Sequence, residues 1–234
     1  LWLGTDNGID LIYINLPLSQ LNNFQNLSAG YTAALYKDIL YLGTNRGVYF
    51  KRWEDCMKYP SRLTDFEMIP ETKGQVWTLQ TIDDILFCGH NNGTYIINGS
   101  RARKISDIPG AWQFLRPKGS PNKILCGTYT GLILFEKKND QWKFSKRLKG
   151  FKESSRVMVF DEDENIWMSH EYKGVYHIRF NELHDSINSV VFYDTQMGFE
   201  TNYGIYVEKM NEEIVFLTPE GIYGYNGETD RMFP

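Results

Sequence analysis

The sequence lacks several features that would assign the protein to a common class. Its apolar runs, such as residues 11–14 and 214–217, are far shorter than the roughly 20 apolar residues that cross a bilayer. Its charges nearly cancel, with 25 basic and 29 acidic side chains and a formal net charge of −4. Such a balance gives no whole-molecule field to attract nucleic acid or an anionic membrane. We therefore expect neither membrane insertion nor nucleic-acid binding by this segment.

Cysteine is scarce, and the three present have neither the spacing of a disulfide framework nor that of a zinc site. Cys56, Cys88 and Cys126 lie far apart, without the C-x-x-C pairs that bind zinc. Cys88 and Cys126 occur inside apolar runs, where a free cysteine is usually a small core residue. We predict that both are buried and that the protein holds no metal.

The familiar catalytic and cofactor motifs are also absent. The sequence contains no G-x-S-x-G, no P-loop and no H-E-x-x-H, so we expect no catalytic residues and no cofactor. The acidic run at residues 161–165 could be a calcium loop, but it lacks the glycine and the distant glutamate of an EF-hand. A hairpin turn is the simpler interpretation. The other carboxylates are dispersed, and the sequence does not select two of them as a glycosidase-like pair.

Apolar and aromatic residues are abundant instead. The chain is 42% hydrophobic and 15% aromatic and has 20 glycines, a composition that indicates a globular domain. It starts at Leu1 with an apolar, strand-like run and no charged leader. We therefore expect the sequence to be part of a longer protein, in which any targeting segment lies elsewhere.

Six segments repeat one pattern: a short apolar run, a small residue, a polar turn that ends in glycine, and a second apolar run. The small residue falls at positions 4, 43, 89, 127, 169 and 218. Two apolar runs joined by such a turn are typical of a β-hairpin. Other strand-like runs precede and follow the hairpins, as at residues 76–79 and 142–144. Each unit therefore contains four short strands.

Four-stranded units at this period are typical of a β-propeller, in which each sheet packs against its neighbours. A parallel β-helix would have a much shorter period, and helical repeats would show long amphipathic stretches, which we do not find. We predict an all-β protein, a β-propeller of four-stranded blades with about five and a half to six blades present, as part of a larger propeller array. The expected units are residues 1–29, 30–72, 73–109, 110–152, 153–199 and 200–234.

The run Leu1-Trp2-Leu3-Gly4-Thr5-Asp6-Asn7-Gly8-Ile9 resembles the repeat of the two-component regulator propeller family, whose consensus is approximately L-W-I-G-T-x-x-G-L. Residues 40–49 and 124–135 resemble it closely, and residues 161–167 resemble the acidic turn that leads into the family's tryptophan strand. The copies at 86 and 215 depart from the consensus at Cys88, His90 and Thr218. Aligned at Thr218, the last copy is one loop residue short.

The resemblance covers essentially the whole chain and implies the sensor region of bacterial hybrid two-component or related one-component regulators. In that family the propellers lie in the periplasm, sense products of glycan breakdown, and precede an aromatic-rich sandwich domain, a membrane span and signalling modules. The resemblance thus implies a non-catalytic sensor of an oligosaccharide or other small soluble ligand, which relays to a kinase or transcriptional output. It leaves open a homodimer formed through the full-length ectodomain.

The polar turns between the second and third strands of the blades are the predicted ligand site. They should emerge on one face around the central channel, beside the connections that enter the next blade. Amide, guanidinium and aromatic groups suit the hydroxyls, carboxylates and ring faces of sugars. The candidates are Asn45, Arg46, His90, Asn91, Asn92, Tyr129, His170, Glu171, Tyr172 and Lys173. The alternative is that the small polar residues only satisfy the turn backbone.

His90 and His170 stand where the other turns have threonine. The simpler interpretation is that each takes over the hydrogen bonds of threonine, and the alternative is a ligand-binding or pH-sensing role. No third ligand repeats in register, which argues against a metal site. His177 and His184 are interpreted as surface or strand residues. For the whole chain, a propeller polysaccharide lyase or glycoside hydrolase and a protein-interaction scaffold are the alternative functions.

Overall fold

A computed structural model of the protein describes residues 2–5, 8–11, 29–58 and 65–234. Strands dominate these residues, and within each sheet every strand pairs antiparallel with the next one along the chain. A hairpin of β1 (Trp2–Thr5) and β2 (Gly8–Leu11) comes first. Five four-stranded sheets follow, which we call blades 1 to 5.

Each blade takes four consecutive strands. Blade 1 contains β3 (Gly30–Tyr36), β4 (Ile39–Thr44), β5 (Val48–Arg52) and β6 (Glu67–Met68), and blade 2 contains β7 (Val76–Ile82), β8 (Ile85–His90), β9 (Gly93–Asn98) and β10 (Arg101–Ser106). Blade 3 contains β11 (Gln113–Leu115), β12 (Lys123–Thr128), β13 (Gly131–Lys138) and β14 (Gln141–Arg147), and blade 4 contains β15 (Val157–Phe160), β16 (Ile166–His170), β17 (Gly174–Phe180) and β18 (Ile187–Tyr193). Blade 5 contains β19 (Tyr206–Met210), β20 (Glu213–Thr218), β21 (Gly221–Asn226) and β22 (Arg231–Phe233). Helix α1 (Trp53–Lys58) follows β5, and short 3-10 turns occur at Pro70–Thr72 and Thr195–Met197.

The first strands of successive blades are neighbours, which gives the blades a radial arrangement. The Thr32 hydroxyl of blade 1 accepts a hydrogen bond from Leu79 N–H of blade 2 at 3.2 Å. Gln113 Oε1 of blade 3 accepts one from Met158 N–H of blade 4 at 2.8 Å. The predicted all-β propeller is therefore confirmed. Of the expected first unit, the described residues comprise only the β1–β2 hairpin and residue 29.

The apolar cores lie between adjacent blades. Cys88 is in the cluster between blades 1 and 2, and Cys126 is in the cluster between blades 2 and 3 together with Trp142. Both cysteines are fully buried and free, as the sequence predicts, and burial raises the pKa of both thiols. Their thiols act as small apolar groups within these cores.

Glycine is required at the repeated position in blades 2 and 3 because the next blade passes very close to it. A Cβ atom at Gly127 would lie 2.0 Å from the carbonyl oxygen of Ser155, and one at Gly89 would lie 2.4 Å from that of Ala111. Both carbonyls belong to the connections that enter the following blade. Glycine at these two positions thus allows adjacent blades to approach through their backbones.

The sequence alignment of the last copy was wrong by one residue. Thr218 pairs with Gly221, and its hydroxyl donates to the Gly221 carbonyl at 3.1 Å, as Thr44 does to Gly47 at 3.0 Å. Leu217, not Thr218, therefore occupies the position of the small residue. The turn of blade 5 has the usual length, and it is the turn at residues 170–174 that contains one additional residue.

The acidic run at residues 161–165 forms the turn between β15 and β16, as predicted. Asp161 Oδ1 accepts a hydrogen bond from Asn165 N–H at 2.8 Å. His177 lies on β17 as expected, but the interpretation of His184 as a surface or strand residue is wrong. His184 is in the turn after β17 and only 7% exposed, because it packs between the rings of Phe160 and Phe180.

Candidate functional site

On one face of the propeller, which we call the upper face, the turns between the second and third strands contact the connections that enter first strands of the same or the next blade. The hydrogen bonds that join them are Gly74 N–H to Arg46 O (3.0 Å), Asn91 N–H to Gln75 O (2.9 Å), Gly131 N–H to Glu153 O (3.0 Å) and Gly204 N–H to Glu171 O (3.0 Å). The turns that hold the predicted site residues therefore lie on the upper face, beside the connections that enter the first strands.

The first residue of each described turn accepts a hydrogen bond from the backbone N–H two residues later. The Thr44 and Thr128 hydroxyls accept at 3.0 and 3.2 Å. The Nδ1 atoms of His90 and His170 accept in the same way, both at 3.2 Å. The interpretation that histidine takes over this hydrogen bond of threonine is confirmed.

His90 is a residue of the scaffold. It is fully buried, and its Nε2 atom lies 3.1 Å from the carbonyl oxygen of Thr72. Burial lowers its pKa, so the neutral ring uses Nδ1 as acceptor and Nε2–H as donor. Neither ring nitrogen is available to a ligand, and we therefore do not retain His90 as a binding candidate.

His170 occupies a more open position. Its side chain is 14% exposed, and Nε2 lies 3.7 Å from Glu153 Oε2. Burial lowers its pKa, and the positive charge of Lys173 acts in the same direction. Lys173 donates a hydrogen bond to Glu153 at 2.7 Å, which raises the pKa of the lysine. These contacts tie the turn of blade 4 to the connection that enters this blade.

Four aromatic side chains form a continuous group at the upper end of the first strands. The ring centroids of Trp77 and Trp112 are 4.2 Å apart, and Tyr31 meets Trp77 edge-on at 5.5 Å. Tyr129 meets Trp112 edge-on at 5.2 Å and accepts a hydrogen bond from Trp77 Nε1 at 3.0 Å. Partial burial in this group raises the pKa of Tyr129. Tyr129 is therefore the predicted candidate that the structure places in an aromatic platform.

Gly110 explains how Tyr129 can lie so close to the blade 2 to blade 3 connection. A Cβ atom there would be 2.1 Å from the Tyr129 ring, and the backbone of Gly110 has φ +78°. A larger residue would displace the ring and strain the backbone. The connection is thus shaped around the aromatic platform.

A charged pair continues the platform into blade 4. The Arg156 guanidinium lies 5.2 Å from the Trp112 ring centre and 3.9 Å from the Glu171 carboxylate. Arg156, Glu171 and the half-exposed Tyr206 line one cleft between blades 4 and 5. Tyr172 is 72% exposed beside them, and its hydrogen bond with Glu171 raises its pKa. We call this group the channel rim; its members are Tyr31, Trp77, Trp112, Tyr129, Arg156, Glu171 and Tyr172.

The sequence did not reveal Trp77, Trp112 or Arg156 as site residues. Each stands one position before the residue of the first strand that pairs with the small residue. The distance to that small residue is 12 positions from Trp77 but 15 from Trp112. A fixed spacing therefore could not identify them, although a tryptophan near the start of the first strand in blades 2 and 3 was a usable signal.

The four remaining candidates lie in the turns of blades 1 and 2. Asn45 and Arg46 are exposed in the turn of blade 1. Asn92 accepts a hydrogen bond from the Tyr95 hydroxyl at 2.8 Å. The buried Oδ1 atom of Asn91 has no hydrogen-bond partner among the described residues. The Asn91 carbonyl accepts a hydrogen bond from Gly110 N–H at 3.1 Å, which places its backbone next to the platform. Tyr129, Glu171 and Tyr172 are the candidates whose side chains form part of the rim.

The described residues contain no group of three or more His, Cys, Asp or Glu arranged to hold a metal ion. In the same part of the chain, no helix has the length and apolar character needed to cross a bilayer.

No family model matches this sequence, and no curated protein does. Among solved structures, the extracellular domain of BT4673 from B. thetaiotaomicron is similar over 94% of this chain, with 18% identity and a TM-score of 0.59. It is described as a one-component system in one structure and as a hybrid two-component system in another. This chain spans 30% of the length of that domain.

Two propellers with other roles are also similar. Virginiamycin B lyase from Staphylococcus aureus matches 92% of this chain and 71% of its own, with 10% identity and a TM-score of 0.55. The WD40 propeller domain of Doa1 matches 87% of this chain and 66% of its own, with 13% identity and a TM-score of 0.52. At such low identity these similarities establish the β-propeller fold.

Proposed function

We propose that the protein is a ligand-sensing, non-catalytic, extracytoplasmic propeller of a bacterial signal-transduction regulator, and that it responds to glycan fragments. The observation that carries the proposal is the channel rim, in which an aromatic platform adjoins an exposed arginine and glutamate. The similarity to the BT4673 extracellular domain supports a position outside the cytoplasm. The regulator would relay binding to a kinase or a transcriptional output.

The side chains of the rim fit the chemistry of an oligosaccharide. The exposed rings of Tyr31 and Tyr172 can cover the C–H face of a sugar ring, and Tyr hydroxyls can pair with its hydroxyl groups. The Arg156 guanidinium offers a planar fork of donors to hydroxyls or to a uronate carboxylate. The Glu171 carboxylate accepts hydrogen bonds from hydroxyls. A chain of several sugar units could contact all of these groups along the rim.

Two titratable groups of the upper face are not free to act as a general base. A general base needs a free acceptor within reach of the substrate. The Glu153 carboxylate is occupied by Lys173, and His90 has no free ring nitrogen. A lyase or hydrolase activity would show as product release from a polysaccharide that is lost in Glu171→Gln. Such a result would replace the sensor proposal.

Calorimetric titration of the protein with a panel of neutral and uronate-containing oligosaccharides tests the proposal. We expect binding heat with at least one class and none with monosaccharide controls, because several rim residues must be contacted together. Absence of heat with the whole panel would contradict glycan sensing. Capture of a protein partner through the upper turns, with no glycan binding, would favour the scaffold alternative.

A further inference from the structure

The charges of the chain are strongly segregated. Residues 101–152, from the start of β10 to the connection after β14, contain 13 of the 25 basic residues and only 3 of the 29 acidic ones. This segment has a formal charge of +10 in a chain whose total is −4. The near-neutral total therefore conceals a basic surface on blades 2 and 3.

The basic residues concentrate on the outermost strands of these two blades. Strand β10 contributes Arg101, Arg103 and Lys104, and β14 contributes Lys143, Lys146 and Arg147, while neither strand contains an acidic residue. All six side chains are exposed. Together with Lys149 and Lys152, which follow β14, we call them the basic edge.

Protection of a free sheet edge does not explain this concentration. Lysine on an edge strand commonly prevents edge-to-edge aggregation. However, β18 is the outermost strand of blade 4 and has the sequence INSVVFY, without a charged residue. The fold thus tolerates an uncharged outer strand, and the charge on β10 and β14 requires another reason.

Several of these cations lack an internal counterion. Among the described residues, no carboxylate lies within ion-pair distance of Arg103, Lys143, Lys149 or Lys152. The paired cations of the basic edge are Arg101 with Glu71 at 3.0 Å, Lys104 with Asp107 at 2.8 Å and Lys146 with Asp185 at 3.5 Å. Within the described part of the chain, Arg147 donates only to Thr130, with Nη1 at 2.8 Å from the hydroxyl. Such side chains can pair with an external anion without first breaking an ion pair.

A groove runs between the two outer strands. It has a volume of ≈ 440 Å³. It is lined by residues 104–109, at and after the end of β10, and by Phe144 and Arg147 of β14. Phe144 is 38% exposed, so the groove combines an apolar ring with Lys104 of β10 and Arg147 of β14. This combination suits a chain-like anion with an apolar ring face.

We propose that the basic edge and its groove bind an anionic polysaccharide that carries carboxylate or sulfate groups. A lipid membrane presents a flat surface and would contact only the two ridges of this concave groove. Single-stranded nucleic acid is usually held by several stacking aromatic rings, and the groove lining contains one. The site is separate from the channel rim and does not depend on the function proposed for it.

Binding of polygalacturonate to the protein, measured at low and high salt with dextran as neutral control, tests the proposal. We expect binding to polygalacturonate alone, which weakens as salt screens the charges. Arg103→Glu/Arg147→Glu should weaken it about tenfold or more, because two attractions become repulsions. Arg52→Glu/Lys58→Glu, at the ends of β5 and α1, makes the same change of net charge at exposed cations and should retain affinity within about twofold.

A second variant tests how much the apolar part of the groove contributes to binding, separately from charge. Phe144→Ser should weaken polygalacturonate binding about threefold while leaving the charge unchanged, and circular dichroism would verify folding of every variant. Equal losses in both charge-reversal variants would overturn the proposal. Tighter binding to phosphatidylglycerol vesicles or to oligodeoxythymidylate would also overturn it. Trp77→Ala/Trp112→Ala should retain the salt-dependent polygalacturonate binding that Arg103→Glu/Arg147→Glu weakens, so a failure of the rim proposal stays distinguishable.

Discussion

The turns at residues 90–93 and 170–174 begin with the same histidine and differ in its surroundings. In both, Nδ1 accepts the backbone N–H two residues later at 3.2 Å. His90 is fully buried, and its Nε2 contacts a backbone carbonyl. His170 is partly exposed and faces a carboxylate, and its turn contains an additional residue. The shared position therefore maintains the turn, while the exposed neighbours can differ in function between blades.

His90→Ala should produce the largest effect on stability, and it tests whether His90 is a structural residue of its turn. It removes a fully buried ring, opens a cavity and leaves the Asn92 N–H and the Thr72 carbonyl without their partner. We expect a loss of about 3 kcal/mol in the free energy of unfolding, measured by urea denaturation. His90→Thr is the control, because threonine accepts the same N–H in other turns, and it should recover part of the loss. An unchanged midpoint in His90→Ala would refute the scaffold role.

Tyr172→Ala and Asn92→Ala change equivalent positions of the two turns and test whether one turn serves binding and the other stability. Tyr172 is exposed at the rim, so its removal should lower glycan affinity about tenfold with almost no effect on stability. Asn92 accepts the Tyr95 hydroxyl, so its removal should lower stability by about 1 kcal/mol and leave affinity unchanged. Parallel calorimetry and denaturation would measure both. Equal effects of the two changes on affinity would show that the turns are not specialised.

The fold could be predicted from the sequence because each blade is specified by local patterns. Alternating apolar runs and a glycine that allows close blade contact are readable without tertiary information. The channel rim was only partly predictable. Trp77 and Trp112 occupy equivalent positions, but the connection between the first and second strands is longer in blade 3 than in blade 2. The spacing from each tryptophan to the repeated glycine therefore differs. The burial of His90 depends on the chain entering blade 2 at Thr72, and no local pattern indicates that contact.

Acidification should destabilise the protein, and His90 should account for part of this effect. Burial lowers the pKa of His90 below that of the unfolded chain, so the unfolded state binds the proton more strongly. Stability is then fully present above the ordinary histidine pKa of about 6.5 and declines as the pH falls below it. Urea midpoints measured at several pH values should decline less steeply in His90→Thr. The same slope in that variant would assign the pH dependence to other groups.

His170→Ala should have the smallest effect on stability. Its ring is partly exposed, and water can replace it as partner of the Tyr172 N–H. We expect a loss of about 0.5–1 kcal/mol, measured as for His90→Ala. A loss as large as that of His90→Ala would remove the distinction between the two turns.

The channel rim as a glycan-binding surface is the central claim, and paired tryptophan variants test it most directly. Calorimetry with the best oligosaccharide of the panel would compare the unmodified protein, Trp77→Ala/Trp112→Ala, and Trp53→Ala, whose tryptophan is 38% exposed on α1. We expect the rim variant to lose binding by at least about tenfold and the α1 variant to bind as the unmodified protein does. Undiminished binding by a correctly folded rim variant would contradict the account.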